Sequence, residues 1–432
     1  MEPITVSKTA EIGLCTSCGI CKSVCPRSCI QWKRQDGLYF PLIDTEQCIS
    51  CGLCARVCPG LGHSYETQND AVSTITGNIL SCYNAWSLDP DLRHISASGG
   101  VISTMVKELL TAGLYDSVFC VDTYDYREQL ITKRYTRDDY LKQNTTPKSR
   151  YLPVSHEQTI RYMRENKNER IILIATSCAL RGIAASIRKC NLHRDNYLLI
   201  GLFCDKIFNY NVLTYFENQY CAGETLSALH FKNKESGGWP GDMKLFPKGK
   251  SSFYVSIHER AKAKAYFMPE RCLYCVDKLN VFADISTGDN YTATHTSKLG
   301  SNSVILRTAR GQEAWNAVRK HIEAHPIDIS AIQEAQYLDG RLNNLYFGDL
   351  RSSRLGEDHD LNRGVPRTQD CADFRQAWES NLRKLRTGQV YDNTPQKLHR
   401  QLRRDSKKPN RVVSFCKRGF YFLKRKLNRG NL

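Results

Sequence analysis

Several absences narrow the chemistry of this 432-residue chain. It has no Walker-type phosphate loop, and no Gly-x-Gly-x-x-Gly turn follows a strand-like run, so the common nucleotide-hydrolysing and dinucleotide-binding frameworks are excluded. It also lacks a Gly-x-Ser-x-Gly elbow and a His-Glu-x-x-His pair, and nothing else suggests hydrolysis. Long apolar runs are missing. The longest, such as residues 197–204, fall far short of the roughly 20 residues that cross a bilayer. The first ten residues contain no apolar h-region, so no secretory signal is expected and the chain is read as cytoplasmic. Acidic residues are scarce in one place. After residue 382, sixteen lysines and arginines face only Asp392 and Asp405, a surplus of fourteen that leaves +3 of the total +17 for everything before. The basic character therefore belongs to a tail. The body has no aromatic platform interleaved with basic residues, so nucleic-acid binding is not supported.

Cysteine, by contrast, is abundant. There are nineteen, and their clustering argues for metal in a reducing compartment rather than a disulfide framework. Cys15-x-x-Cys18-x-x-Cys21-x-x-x-Cys25-Pro26 recurs as Cys48-x-x-Cys51-x-x-Cys54-x-x-x-Cys58-Pro59. This is the tandem spacing of a two-cluster 4Fe-4S ferredoxin, in which the fourth cysteine of each run serves the other cluster. One ligand set is thus Cys15, Cys18, Cys21 and Cys58, and the other Cys48, Cys51, Cys54 and Cys25. Zinc would require two pairs, not triplets with a proline-flanked fourth. The prolines turn the chain out of each site, and Gly19 and Gly52 let amides approach the cluster sulfurs. Cys29 is read as a packed thiol rather than a ligand. The module spans residues 1–65.

Beyond a polar link, Ser96-Ala97-Ser98-Gly99-Gly100 precedes apolar residues at helical spacing: Val101, Ile102, Met105, Val106, Leu109 and Leu110. Ser96 or Ser98 could cap this helix. The glycines would leave bare amides for a phosphate, although a well-capped helix is the more ordinary reading of the pattern. The helix stops at Ala112-Gly113, and a strand follows at 117–121. Pro147-Lys148-Ser149-Arg150-Tyr151 could hold a phosphate and stack a ring, or be an ordinary loop. Residues 171–175 read as a buried strand, Thr176-Ser177-Cys178 as a turn, 179–189 as a helix and 197–203 as a second, parallel strand. Ligands sit at the carboxyl ends of such strands, so Cys178 and Cys204 are expected to be neighbours. Cys272-x-x-Cys275 supplies half a metal site. Two readings stay open here. Either the four cysteines form a third cluster, or Cys178 and Cys204 are packed thiols and the pair is a zinc remnant or redox pair. The other cysteines are read as structural. Trp239 reads as a packed anchor, Asp289 as a capping residue, 303–306 as a strand and 314–325 as a helix.

The order of these motifs resembles the family of coenzyme F420 hydrogenase/dehydrogenase beta subunits. It runs from tandem ferredoxin through Ser98-Gly99-Gly100, Lys148-Ser149-x-Tyr151, the turn ending in Cys178, Leu202-Phe203-Cys204 and Cys272-x-x-Cys275 to Ala283-Asp284-Ile285-x-x-Gly288-Asp289. The likeness covers roughly residues 1–345 and is nearest to bacterial members found among polysaccharide-biosynthesis proteins. It implies an α+β chain: the ferredoxin domain, then a mixed α/β FAD-binding domain in two parts, 80–160 and 161–345, then a variable basic helical tail, 350–432. By resemblance Ser98, Gly99, Gly100, Lys148, Ser149 and Tyr151 lie on the FAD, with Thr176 and Ser177 in the family's Gly-Thr-Pro-Cys turn, whose proline is here Ser177. The resemblance favours Cys178, Cys204, Cys272 and Cys275 as ligands of a third 4Fe-4S cluster. The implied function is an iron–sulfur flavoprotein oxidoreductase that joins two-electron flavin chemistry to one-electron transfer, with a small-molecule substrate and a redox partner protein. No catalytic proton donor is identified. The alternative is a non-enzymatic ferredoxin-type subunit that has lost its flavin. In the tail, Val412, Val413, Cys416, Phe420, Leu423 and Leu427 fall on one side of a helix flanked by basic residues, the pattern of peripheral contact with an anionic membrane.

Overall fold

The computed structural model describes residues 5–61, 75–121, 128–142, 148–356 and 368–406. At its centre is a nine-stranded mixed sheet. The strands Ile171–Thr176 and Tyr197–Leu202 are buried almost throughout and pair in parallel from Ile171↔Tyr197 to Thr176↔Leu202. Parallel strands covered on both faces require such continuous apolar runs. Their side chains alternate between two cores. Ile172, Leu198 and Ile200 meet Val101, Met105, Leu109 and Trp315 on one face. Ile171, Leu173 and Leu199 meet Ile160, Ile183 and Ile187 on the other. Each fully buried side chain of this kind contributes about 1.5–3 kcal/mol.

On one side of this pair the sheet continues through Ile285–Asp289, Asn302–Leu306, Ser81–Ser87 and Ile322–Pro326, and on the other through Ser117–Val121, Leu130–Thr136 and Val154–Ser155. A smaller antiparallel sheet, Leu226–Asn233, Asp242–Pro247 and Phe253–Val255, packs with the helices Asn211–Tyr220 and Ile257–Phe267.

The run 314–325 is not one helix. The helix Ala309–Val318 ends in a tight turn, and Ile322–Pro326 pairs antiparallel with Ser81–Ser87. Trp315, Val318 and Ile322 suit a helical face, but Ile322 and Ala324 alternate inward on the sheet, and Arg319 donates to the carbonyls of Ile322 and Ala324. Sheet pairing overrides the local spacing.

The basic C-terminal region is also partly body. The helices Arg375–Gln389 and Pro395–Ser406 bury Trp378, Leu382, Leu385, Tyr391 and Leu398 against the smaller sheet's helices and the Cys272 segment. The expected amphipathic helix over 411–427 lies outside the described residues.

The cysteine-rich segment docks on the α/β body. Its helix Ile20–Val24 lies against Ser177–Lys189, where Gly182 leaves room: a Cβ there would meet Ile20 Cδ1 at 2.6 Å. Backbone groups complete the seam. His156 N–H donates to the Cys18 carbonyl at 2.8 Å, Arg164 to Ser23 O at 2.7 Å and Gln129 to Ser17 O at 3.0 Å.

Candidate metal and cofactor centre

The eight cysteines of the tandem runs divide between two cavities. Cys15, Cys18, Cys21 and Cys58 line one of about 300 Å³. Cys25, Cys48, Cys51 and Cys54 line another of about 370 Å³, together with Cys29. Each cavity thus draws three thiols from one run and the fourth from the other. Among the described residues no group of three His, Cys, Asp or Glu side chains converges as a single metal ion would need. The thiols instead ring a space, and the donor set fits four-iron clusters.

Burial pushes the Cys18 thiol up to about 12 and holds Cys21 well above its ordinary value. Without metal these groups are neutral thiols, so cluster binding must release protons. Cys25 differs. Burial raises its pKa, but hydrogen bonds from Cys29, Arg27 and Ser28 bring it below the ordinary value. Cys29 is buried with Sγ 3.4 Å from Cys25 Sγ. It is packed, but it is packed into the cluster cavity.

The second group of cysteines is assembled by the sheet. Cys178 stands in the first turn of Ser177–Lys189, and Cys204 two residues beyond Tyr197–Leu202, at the same carboxyl edge. Cys272 lies in the short turn Glu270–Leu273, with Cys275 just after it. Burial, then the neighbouring Cys272, Cys178 and Cys275, pushes Cys204 well above its ordinary pKa. The structure therefore brings all four thiols together. Cys178 also acts on Cys18, so this group adjoins the inner ferredoxin cavity. Arg271 acts on Cys15 and Cys58 on one side and Cys272 on the other, and Arg341 acts on Cys275, Cys204 and Cys272. Sequence reading missed both arginines. Arg271 at least adjoins Cys272, whereas Arg341 carries no local signal.

The glycine turn anchors a separate polar cluster. Neither serine caps the helix Val101–Thr111. Ser96 Oγ donates to Leu92 O at 2.6 Å and Ser98 Oγ to Ser301 O at 2.8 Å, while the cap position is Gly100 in the left-handed region, φ 82°. Only glycine takes this conformation without strain, and it provides no side-chain cap. Below the turn, buried Lys234 Nζ donates to the carbonyls of Arg93, Ser98 (3.0 Å) and Leu299 (2.7 Å). Burial, then nearby Lys148 and Arg93, lowers its amine to about 7, even though three carbonyls suit an ammonium.

Asp289 is not a simple capping residue. It pairs with buried Lys232 and accepts from Trp239 Nε1 at 3.2 Å and Tyr291 OH at 3.2 Å. Burial opposes its charge, but Lys232, Trp239 and Ser98 hold its pKa below the ordinary value. Tyr151 acts on Tyr291, and the Arg260 guanidinium lies 5.2 Å from the Tyr151 ring. Ser98, Gly99, Gly100, Lys148 and Tyr151 thus belong to one polar cluster, joined by Lys232, Lys234 and Asp289, which sequence reading did not place there. Ser149 lies in the same loop as Lys148. Thr176 and Ser177 belong instead to the cysteine edge: Thr176 Oγ1 is 3.7 Å from Cys178 Sγ, and Ser177 is buried beside it.

A ferredoxin-type segment docked on a mixed α/β body, with further thiols at the sheet edge, defines an iron–sulfur protein of oxidoreductase type. Comparison with known proteins gives the family. Residues 14–60 match the 4Fe-4S dicluster domain. Residues 82–158 match the N-terminal and residues 168–330 the C-terminal part of the coenzyme F420 hydrogenase/dehydrogenase beta subunit. The chain belongs to the family of these beta subunits and carries a 4Fe-4S ferredoxin domain.

It is 24% identical over 324 residues to one of the subunits of the F(420)H(2) dehydrogenase of Methanosarcina mazei, covering 74% of this chain and 87% of that protein. It is 24% identical over 335 residues to coenzyme F420-dependent sulfite reductase of Methanocaldococcus jannaschii, covering 72% of this chain but only 47% of that protein. In fold it resembles a chain of the F420-reducing [NiFe] hydrogenase complex from Methanosarcina barkeri, with a TM-score of 0.50 and 18% identity over 66% of this chain and 97% of that one. Among the described residues no helix is long and apolar enough to cross a membrane.

Proposed function

We propose that this chain is an iron–sulfur flavoprotein oxidoreductase subunit that joins two-electron chemistry on a small molecule to one-electron exchange with a partner protein. The observation that carries this reading is the sequence of thiol groups through the molecule. Cys25, Cys48, Cys51 and Cys54 lie outermost, with Cys51 exposed. Cys15, Cys18, Cys21 and Cys58 come next, and Cys178, Cys204, Cys272 and Cys275 adjoin them at the sheet edge. In this reading each set holds a 4Fe-4S cluster, and FAD lies on Ser98, Gly99, Gly100, Lys148, Ser149 and Tyr151 and reaches Thr176 and Ser177 at the cysteine edge. When bound, the flavin supplies hydride chemistry and the clusters single-electron transfer.

The chain's own residues supply placement and charge. Lys148 and Lys234 stand by the glycine turn, where a bound pyrophosphate would favour their charged forms, while Lys232 is already paired with Asp289. Asp289 fixes Lys232, Trp239 and Tyr291. Ile49, 55% exposed beside exposed Cys51, marks where a redox partner approaches. The substrate is a small electron donor or acceptor, a deazaflavin where the host makes one. In this reading the protein works in the cytoplasm in a polysaccharide-biosynthesis setting, and the amphipathic basic stretch 411–427 contacts an anionic membrane surface.

Anaerobic purification with iron, sulfide and flavin measured together tests this reading. About twelve iron atoms with one FAD, the content of three four-iron clusters, supports it. About eight iron atoms without flavin leaves a ferredoxin-type electron-transfer protein on a body without its cofactor.

A further inference from the structure

The outer cavity has one thiol more than a four-iron cluster uses. Cys29 lines it with Cys25, Cys48, Cys51 and Cys54. It is 4% exposed, and its Sγ is 3.4 Å from Cys25 Sγ. The local backbone produces this arrangement. Ser28 takes the left-handed conformation, φ 53°, and its N–H returns to the Cys25 carbonyl at 3.3 Å. The tight turn 25–28 brings residue 29 back beside residue 25, and the strand Ile30–Gln35 then leaves, anchored by Asp44 N–H on the Cys29 carbonyl at 2.9 Å. Cys29 is therefore held beside Cys25 in the lining of the same cavity, with the two sulfurs 3.4 Å apart.

We infer that Cys29 is a reserve ligand of the outer cluster, able to take the Cys25 corner when Cys25 is lost. This rests on the reading that Cys25, Cys48, Cys51 and Cys54 hold a four-iron cluster. The exchange is balanced without any oxidant or reductant. The Cys29 S–H bond breaks, its proton goes to solvent, and its sulfur bonds the iron that Cys25 no longer holds. None of the other three corners has such a substitute lining the cavity among the described residues.

The test compares full-length chains purified anaerobically, with iron and sulfide per chain and the low-temperature EPR of the reduced protein as readouts. Cys25→Ala is expected to keep the wild-type iron and sulfide, with a shifted outer-cluster EPR signal. Cys29→Ala is expected to match wild type in both. Cys25→Ala/Cys29→Ala should lose about four iron atoms, one cluster's worth, as should Cys54→Ala. If Cys25→Ala loses that iron by itself, or yields no soluble chain, the reserve role is overturned while the ferredoxin reading stands. If the double variant keeps all its iron, Cys25 is not a ligand and the inference also fails. A wild-type chain without iron would instead overturn the cluster reading beneath it.

Discussion

Arg271 Nη2 donates to the Pro59 carbonyl at 3.2 Å, tying the residue before Cys272 to the proline that closes the second ferredoxin run. Arg271 is 3% exposed, and its charge acts on Cys15 and Cys58 as well as on Cys272. With clusters bound in both cysteine groups, as proposed, a fixed positive charge between them favours the reduced forms. Arg271→Met is expected to lower the midpoint potential of the adjoining centres by roughly 100 mV, the scale of one charge about 7 Å away at an effective dielectric near 20. Arg271→Lys should recover most of that shift. Redox titration followed by EPR gives both values, and equal potentials in all three proteins would show that the arginine only packs.

Lys234 supports the glycine turn from below through Ser98 O. Lys234→Met keeps the length of the side chain but leaves three carbonyls without their donor. The variant should lose flavin on gel filtration, with its iron unchanged, because the cysteine sites lie elsewhere. Flavin absorbance relative to iron reads this directly. Loss of iron in parallel would point to general unfolding instead.

His156 connects pH to the docking of the ferredoxin segment. It is buried, and desolvation lowers its imidazole to about 4 from 6.5. The unfolded chain thus binds the proton more readily, and stability is lost as pH falls from about 6.5 towards 4, by at most about 3 kcal/mol. Denaturant unfolding at pH 7.5 and pH 5 should show a smaller difference for His156→Gln than for wild type. An unchanged difference would assign the acid sensitivity to other groups.

The C-terminal region separates into two parts. Removing residues 383–432 deletes Leu385, Tyr391 and Leu398 from packed positions and should lower the melting temperature by several degrees. Removing only 407–432 should leave melting unchanged and abolish flotation with anionic vesicles. Retained flotation would end the membrane proposal.

The ferredoxin domain was legible in the sequence because its cysteine pattern is local. Three thiols and a proline-flanked fourth must follow at short spacing to wrap one cluster, and the repeat shows which run supplies each exchange partner. The strand–helix–strand unit from Ile171 to Leu202 was legible for the same reason, since each element carries its own apolar pattern. Other features depended on distant parts of the chain. Residues 322–326 became a strand because Ser81–Ser87 presents an edge to pair with. Asp289 became an ion-pair partner because the smaller sheet brings Lys232 to it. Cys178, Cys204, Cys272 and Cys275 met only through sheet order and the turn at 270–273, and Arg271 found two cysteine groups only after docking. Local spacing determined where metal could be held. The packing of distant segments, which no short window of residues encodes, decided which centres stand side by side and which charges lie between them.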